Sequence, residues 1–476
     1  MITGSEMAVV DANAEALGVP RKQLMESSGN AIARVVRELA DPGETVTVVA
    51  GRGNNGGDAF VAARFLDEYN LRIQLLGRAE TITTDIAREN WKALQQAEYP
   101  TEEIRDSTQA GFDDPDLIVD AMLGTGITGA LREPAATVAR EMNAADASVL
   151  AVDVPSGLDA ETGTLAETAV DADHVVTFHD TKPGLSDLGI PVTVAEIGIP
   201  AAAETFVESG DLQRLDRDHD SHKGENGEVL VLGGGPYTGA PALSAQAALR
   251  AGADLVRVAC PSSVAREIQG YSENLILRPF DGPQFAPAHV EQMLTLAESN
   301  DVLVFGPGLG ASDASLDAAV SLLERFEGIA VVDADPLQRV PDIETDATLI
   351  CTPHQGELQK MGGPQATEWR ERQKAVETFA ADLGQTLLVK GPYDVISNGD
   401  RTRVNRTGNP GMTVGGTGDV LAGVTGALAA QLSPVHAASV GAYVTGRAGD
   451  FAAEQNGNGL VATDLLALIP HAMQRP

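Results

Sequence analysis

Short, wholly apolar runs alternate along the chain with stretches whose apolar positions recur every three or four residues. The first run, residues 46–50, ends in GRGNNGGD. Helical spacing follows over 59–69, then an apolar run at 71–76 and an amphipathic helix over Asp85–Gln96. Two more apolar runs, 117–120 and 149–153, each close on an Asp at a turn. Brief apolar runs between amphipathic stretches are the pattern of strands buried on both faces, so this half predicts a parallel sheet sandwiched by helices. Ligands in such sheets bind beyond the carboxyl ends of the strands. Asn55, Asp120 and Asp153 fall there.

The pattern then weakens. Residues 210–222 are polar and weakly periodic, and a second αβ series follows: runs at Glu228–Leu232, 255–259, Val302–Phe305, Ile329–Val332, Thr348–Cys351 and Thr386–Val389, with a helix over 242–251. Runs 395–397 and 401–404 pair as a hairpin around Asn398-Gly399, and 417–468 reads as Ala-rich helix. A chain of 476 residues exceeds what one core organises. Two α/β domains are expected, at 1–211 and 222–476, joined by a linker at 212–221.

Charge narrows the partners. There are 68 acidic against 33 basic residues, a formal net of −35, and only seven are Lys. That surface repels nucleic acid and anionic membranes. It would stay hydrated in concentrated salt, so a salt-rich cytoplasm is the expected setting. The start of the chain lacks the basic and apolar segments of a secretion signal, and no apolar run is long enough to span a bilayer. Cys260 and Cys351 lie in apolar runs and read as reduced core thiols.

Chemistry concentrates in glycine loops. Gly415, Gly416, Thr417, Gly418 and Asp419 open the apolar helix expected over 420–432, where free backbone N–H groups and the helix dipole make an anion site. Asp419 can take a proton from a hydroxyl attacking a bound phosphate. An isolated GxGD is more often a capped turn; here it stands in GNPGMTVGGTGDVLAG (408–423), which favours the phosphate site. The Walker A pattern is absent. Lys390 and Gly391 close a strand upstream. The runs 306–310 and 124–129 (Gly124, Thr125, Gly126, Ile127, Thr128, Gly129) loosely spell a dinucleotide fingerprint or a plain tight turn, and the second, with Asp153 downstream, is the better match. Asn54, Asn55, Gly56, Gly57 and Asp58 form an amide-rich loop after a strand. Asn55 and Asp120 could offer oxygens to a cation, or serve local Asx turns. The DHDSH run at 218–222 reads as a solvated linker.

Together these motifs resemble the bifunctional NAD(P)H-hydrate repair enzymes over essentially the whole chain. The first half is similar to the epimerase domain through NNGGD (54–58), VDAMLGTGITG (119–129), VDVPSGLDAETG (152–163) and TFHDTKPG (177–184). The second is similar to the ADP-dependent dehydratase through YTGAPALSAQAALRAGA (237–253), GPGLG (306–310), VDADPL (332–337), TPHQGEL (352–358), KGPYDVI (390–396) and NPGMTVGGTGDVLAG (409–423). One small departure is Gln355, where the family often carries Pro.

The resemblance implies a Rossmann-like αβα sandwich followed by a ribokinase-like α/β domain. It also implies two activities. One interconverts R and S hydrates of NADH or NADPH; the other dehydrates the S form with ADP, releasing AMP and phosphate. By the same resemblance Asp419 is the dehydratase base, and Ala240, Gly308 and His354 contact the hydrate. Lys390, Gly391, Pro392, Tyr393 and Asp394 border the nucleotide, and Gly415 to Gly418 hold its phosphates. In the first half, residues 54–58, 124–129, Ala130 and Asp153 grip the hydrate, with Asp153 handling protons. Asn55, Asp120 and Ser156 bind K+. Mg2+ arrives with ADP, and a homo-oligomer is expected. The competing expectation is a ribokinase-like small-molecule kinase fused to a non-catalytic Rossmann-like scaffold.

Overall fold

The computed structural model describes every residue except Ile127, Thr128 and Pro476. The chain falls into two compact units, Met1–Ala203 and Glu204–Pro476. In the first, helices α1 (Gly4–Ala16), α2 (Arg21–Leu39), α3 (Asn54–Ala63), α4 (Asp85–Gln96) and α5 (Ala135–Ala144) flank seven strands. These are β1 (Thr45–Ala50), β2 (Asn70–Leu76), β3 (Thr101–Ile104), β4 (Leu117–Ala121), β5 (Ser148–Val152), β6 (His174–Phe178) and β7 (Val192–Ala195). Their order is β3-β2-β1-β4-β5-β6-β7, and every pairing is parallel.

Period-two alternation builds the layers. Val48 and Ala50 of β1 join the core formed with α2, α3 and α4, whereas Val49 joins the core under α5. The strand order reverses between β1 and β4, which opens a crevice at their carboxyl ends.

A short helix, α6 (Ala202–Thr205), spans the seam between units. The second unit contains α7 (Gly239–Arg250), α8 (Ala265–Gln269), α9 (Val290–Ala297), α10 (Asp313–Leu323), α11 (Gln355–Lys360), α12 (Trp369–Leu383), α13 (Thr417–Ala429), α14 (Pro434–Asn456) and α15 (Ala462–Ala472). Its strands are β8 (Glu228–Leu232), β9 (Leu255–Pro261), β10 (Ile276–Phe280), β11 (Val302–Phe305), β12 (Ile329–Val332), β13 (Thr348–Cys351), β14 (Thr386–Val389), β15 (Asp394–Ser397) and β16 (Thr402–Asn405). They order as β10-β9-β8-β11-β12-β13-β14-β15-β16, with only the last two pairings antiparallel. Val229 and Val231 face the core of α7, α13, α14 and α15; Leu230 and Leu232 face that of α9, α10 and α12.

Three expectations shift. The helix after β1 starts at Asn54 rather than 59 and ends at Ala63, so NNGGD is its first turn. Likewise α13 begins at Thr417, not 420. Third, the seam lies at 203/204 rather than 211/212. The cause is local: Val207 N donates to Val404 O, and buried Asp211 accepts both Nη groups of Arg403 at 3.0 and 2.8 Å. The first part of the expected linker, from Leu212, thus packs on the second unit, while 218–220 are exposed.

Candidate functional site

The first candidate site gathers at the β1/β4 switch point. Gly56 lets α3 start hard against β1, since a Cβ there would meet Gly51 O at 2.0 Å. That close start fixes Asn55, whose Nδ2 donates to Leu123 O (3.0 Å) and Val152 O (3.2 Å). Its Oδ1 is enclosed and has no hydrogen-bond partner. Asp120, wholly buried in β4, accepts from Met122 N and from both N and Oγ of Ser156. Burial outweighs those bonds and pushes its carboxyl up to about 6.

Asp153 follows β5 with a left-handed backbone (φ 68). Its Oδ2 accepts from Thr125 N (3.3 Å), and its Oδ1 meets Thr177 Oγ1 (3.2 Å) and buried Lys182 Nζ (3.4 Å). Two further acids belong to this cluster. Burial pushes Asp58 well above the carboxylate range, with Asp153 and Asp11 adding to the effect. Asp11 of α1 rises to about 6, again chiefly through burial, against the pull of Arg21, His179 and Lys182.

Asn55, Asp58, Asp120, Gly124, Thr125, Asp153 and Ser156 therefore converge. Gly57 is buried against Met25, and Asn54, Gly126, Gly129 and Ala130 are exposed. Ile127 and Thr128 lie outside the described residues. The fingerprint expectation fails for both glycine runs: α5 starts only at Ala135 and α10 only at Asp313, so neither run opens a helix. Asp11 and Lys182 were not anticipated. Lys182 had a signal in its own motif at 177–184; Asp11 had none.

The second candidate site lies at the carboxyl ends of β12, β13 and β14, facing the start of α13. Gly416 caps that helix with φ 100, a conformation that suits Gly, and a Cβ would meet Leu243 and Ala462 at 2.8 and 2.9 Å. Lys390 Nζ sits over the first turn, 3.3 Å from where a Gly418 Cβ would stand. It pairs with Asp333 Oδ1 at 2.9 Å and lies 3.8 Å from Glu357. Burial disfavours the ammonium, but Asp333 and Glu357 prevail and its pKa is raised. Asp419, in the same turn, is pushed up to about 7 by burial and by Asp333, with Lys390 working the other way and Glu357 adding. Its backbone oxygen accepts from Ser244 Oγ (2.8 Å), tying α7 to this turn.

His354 caps α11: its Nδ1 accepts from Gly356 N (2.9 Å) and Glu357 N (3.2 Å), its Nε2 lies 3.6 Å from Glu357 Oε1, and it lines a cleft of about 230 Å³ with Ala334, Asp335, Leu337 and Gln338. Gly308 and Ala240 meet at the β8/β11 switch point, where a Gly308 Cβ would be 3.3 Å from that of Ala240. The stretch 390–394 divides. Lys390 faces the first turn of α13, whereas Tyr393 stacks on Trp369 and Asp394 accepts from Gly391 N and Asn405 Nδ2. Burial pushes Asp394 up to about 6 despite those bonds. Pro392 and Gly415 are exposed, and Thr417 Oγ1 donates to Met412 O (2.8 Å). Asp333 and Glu357 were missed as site residues, although VDADPL and TPHQGEL carry them.

Comparison with known proteins matches both units. Residues 229–471 fit the family model described as NAD(P)H-hydrate dehydratase, and 21–184 fit the one described as YjeF-related protein N-terminus. A protein of Methanothermobacter thermautotrophicus named bifunctional NAD(P)H-hydrate repair enzyme Nnr is 42% identical, covering 98% of this chain and 94% of its own. One of the same name from Pyrobaculum aerophilum is also 42% identical, over 100% and 98%. Among solved structures, an ADP/ATP-dependent NAD(P)H-hydrate dehydratase from Bacillus subtilis superposes with TM-score 0.50 at 24% identity, covering 56% of this chain and 97% of that one. A ribokinase-like superfamily protein from Enterococcus faecalis gives the same score and identity, over 56% and 95%. The second unit thus has the ribokinase-like fold.

Proposed function

The chain belongs to the bifunctional NAD(P)H-hydrate repair enzymes, and from that premise we propose how its residues divide the work. The first unit is the hydrate epimerase and the second the ADP-dependent dehydratase. The observation that carries the second assignment is Asp419: a carboxyl raised to about 7, in the first turn of α13, with Lys390 over Gly418 beside it. A base of that pKa is half ionised near neutrality, the range in which a general base works best.

In the dehydratase, Asp419 takes the proton of the hydrate hydroxyl as its oxygen attacks the terminal phosphorus of ADP, and AMP leaves. The ring nitrogen then expels phosphate, and loss of a proton from the adjacent carbon restores the reduced nicotinamide. Lys390 offsets charge on the moving phosphoryl group. Gly415 to Gly418 offer it backbone N–H groups, and Ala240, Gly308 and His354 border the hydrate. Among the described residues no set of three or more His, Cys, Asp or Glu is placed to hold an ion. Mg2+ bound to the diphosphate would neutralise part of its charge at this site.

In the epimerase, Asp153 as an acid protonates the leaving hydroxyl while the ring nitrogen forms an iminium. Water then adds to the opposite face and returns its proton to Asp153. K+ fits here, because the enclosed and unpartnered Asn55 Oδ1 is an acceptor that an oxygen-coordinated cation satisfies, and Asp120 supplies charge. Ser156 completes the set. We further take the protein to act in the cytoplasm as a homo-oligomer; no helix among the described residues is long and apolar enough to cross a membrane.

Incubation with NADH hydrate, ADP and Mg2+ tests the scheme. Absorbance of reduced nicotinamide returns as phosphate and AMP accumulate. A small-molecule kinase would instead leave a stable phosphorylated product, and no recovery with ADP or ATP sinks the dehydratase assignment.

A further inference from the structure

Lys182 is a lysine that solvent hardly reaches, with a side chain 2% exposed. The chain bends sharply after β6, with His179 left-handed (φ 67), and brings Lys182 back beneath that strand's end. Its Nζ donates to Phe178 O at 2.9 Å and to Asp180 O at 3.0 Å, and stands 3.4 Å from Asp153 Oδ1. An ammonium has three N–H donors and no acceptor. Two backbone oxygens take two of those donors, and the charge of the ammonium faces Asp153 as an ion pair, so the group is committed to the protein rather than to a substrate.

The consequence falls on Asp153. Its Oδ1 is gripped from two sides, by Lys182 and by the wholly buried Thr177 hydroxyl at 3.2 Å. Among the described residues its Oδ2 accepts only the longer Thr125 N–H at 3.3 Å, and it lies 3.2 Å from where a Gly124 Cβ would stand. Two acids, Asp11 of α1 and Asp58 of α3, feel the same carboxylate, and Lys182 acts with Arg21 and His179 to offset the first of them. We infer that Lys182, with Thr177, is a positioning residue of the epimerase, locking Oδ1 of Asp153 so that Oδ2 alone meets the hydrate. This rests on Asp153 being the proton-handling group.

The test uses the full-length enzyme with ADP, after S hydrate is exhausted, and follows consumption of R hydrate by Asp153→Asn, Lys182→Met, Thr177→Val and the paired variants. Repair of S hydrate by the second unit reports active protein. A hydrogen bond to a charged group is worth roughly tenfold to a hundredfold in rate, so Thr177→Val should lower kcat by about tenfold and Lys182→Met, which removes the buried ion pair, by about tenfold to a hundredfold, with KM little changed. Residues acting through one group are non-additive. In the Asp153→Asn background each substitution should therefore cost no more than about twofold further.

A merely structural role for Lys182 would cost the same factor in both backgrounds, and that result overturns the inference. So does a Thr177→Val enzyme with the full rate, which decides the matter if Lys182→Met does not fold. If Asp153→Asn itself keeps the full rate, the proton-handling reading of Asp153 falls and takes this inference with it.

Discussion

Replacing Asp419 by Asn separates two things that one carboxyl does. Burial and Asp333 raise the group from 3.8 to about 7, against Lys390. As a base it must be ionised, so activity rises with pH. A pKa of about 7 leaves roughly one-eleventh ionised at pH 6 and ten-elevenths at pH 8, a rise of about tenfold in kcat/KM for S hydrate. Bound ADP adds negative charge and pushes the same way as Asp333, so at saturating nucleotide the limb lies at or above 7. The Asn variant should bind ADP yet lose about a hundredfold to ten-thousandfold in turnover.

Stability should move oppositely. A carboxyl whose pKa is higher folded than unfolded stabilises the fold fully below its unfolded value, and that contribution is lost as pH rises through about 7. At pH 8 the ionised group therefore costs stability. A shift of about three pKa units bounds the cost at roughly 4 kcal/mol, less whatever solvent screens. Asp419→Asn should raise the denaturant midpoint at pH 8 and leave it nearly unchanged near pH 4. Recovery of reduced-nicotinamide absorbance across pH, with ADP affinity measured at each point, reads the first arm; denaturant titration reads the second. A flat pH profile, or near-wild-type turnover in the Asn variant, refutes the base role.

Lys390→Met removes the cation that, among the described residues, lowers the Asp419 pKa, so the acid limb of S-hydrate repair should move up by about one unit; an unmoved limb means Lys390 does not act on Asp419. Replacing K+ with tetramethylammonium should slow R-hydrate consumption and lower the thermal midpoint while S-hydrate repair persists, because the three proposed K+ ligands Asn55, Asp120 and Ser156 all belong to the first unit. Indifference of both readouts removes K+ from the site. Arg403→Met removes the bidentate partner of the buried Asp211 carboxylate and leaves Arg214 at 3.4 Å among its remaining partners, so the loss should stay below the roughly 3–5 kcal/mol of a fully broken buried pair, and a denaturant midpoint within error of wild type would show that residues 204–215 are not held as described.

Fully buried strands were the most legible part of the chain. Glu228–Leu232, Val302–Phe305 and Thr348–Cys351 have bounds that coincide with β8, β11 and β13, since both faces of each strand are covered and no polar position after the first residue blurs the pattern. Of the strands at the sheet margins only β16 was anticipated, as the hairpin run 401–404, while β3, β7 and β10 were not. In β3, TEEI buries only its last residue fully, and in β7, VTVA does the same, so neither stands out from a loop. The two glycine-rich helix starts were placed too late because Gly weakens a helix on propensity alone. Packing overrides that propensity. Gly56 sits against Gly51, and Gly423 sits where a Cβ would meet Ser244 O at 2.0 Å, so the small residue that weakens the helix is what lets it dock.

The same distinction separates the site residues that motifs revealed from those they did not. A glycine loop with its acid is continuous in sequence, so Asp419 and Gly418 announce themselves together. Lys390 and Asp333 lie at the ends of β14 and β12, with β13 between them, and they meet at 2.9 Å only because the sheet places those strand ends side by side. Lys182 reaches Asp153 by the same route, across β5 and β6. In each unit the chain supplies the carboxylate locally and its balancing ammonium from a neighbouring strand end. The charge balance of both sites is therefore a property of strand order rather than of any motif. A substitution that shifts the register of β6 or β14 should thus disturb activity as surely as one at Asp153 or Asp419.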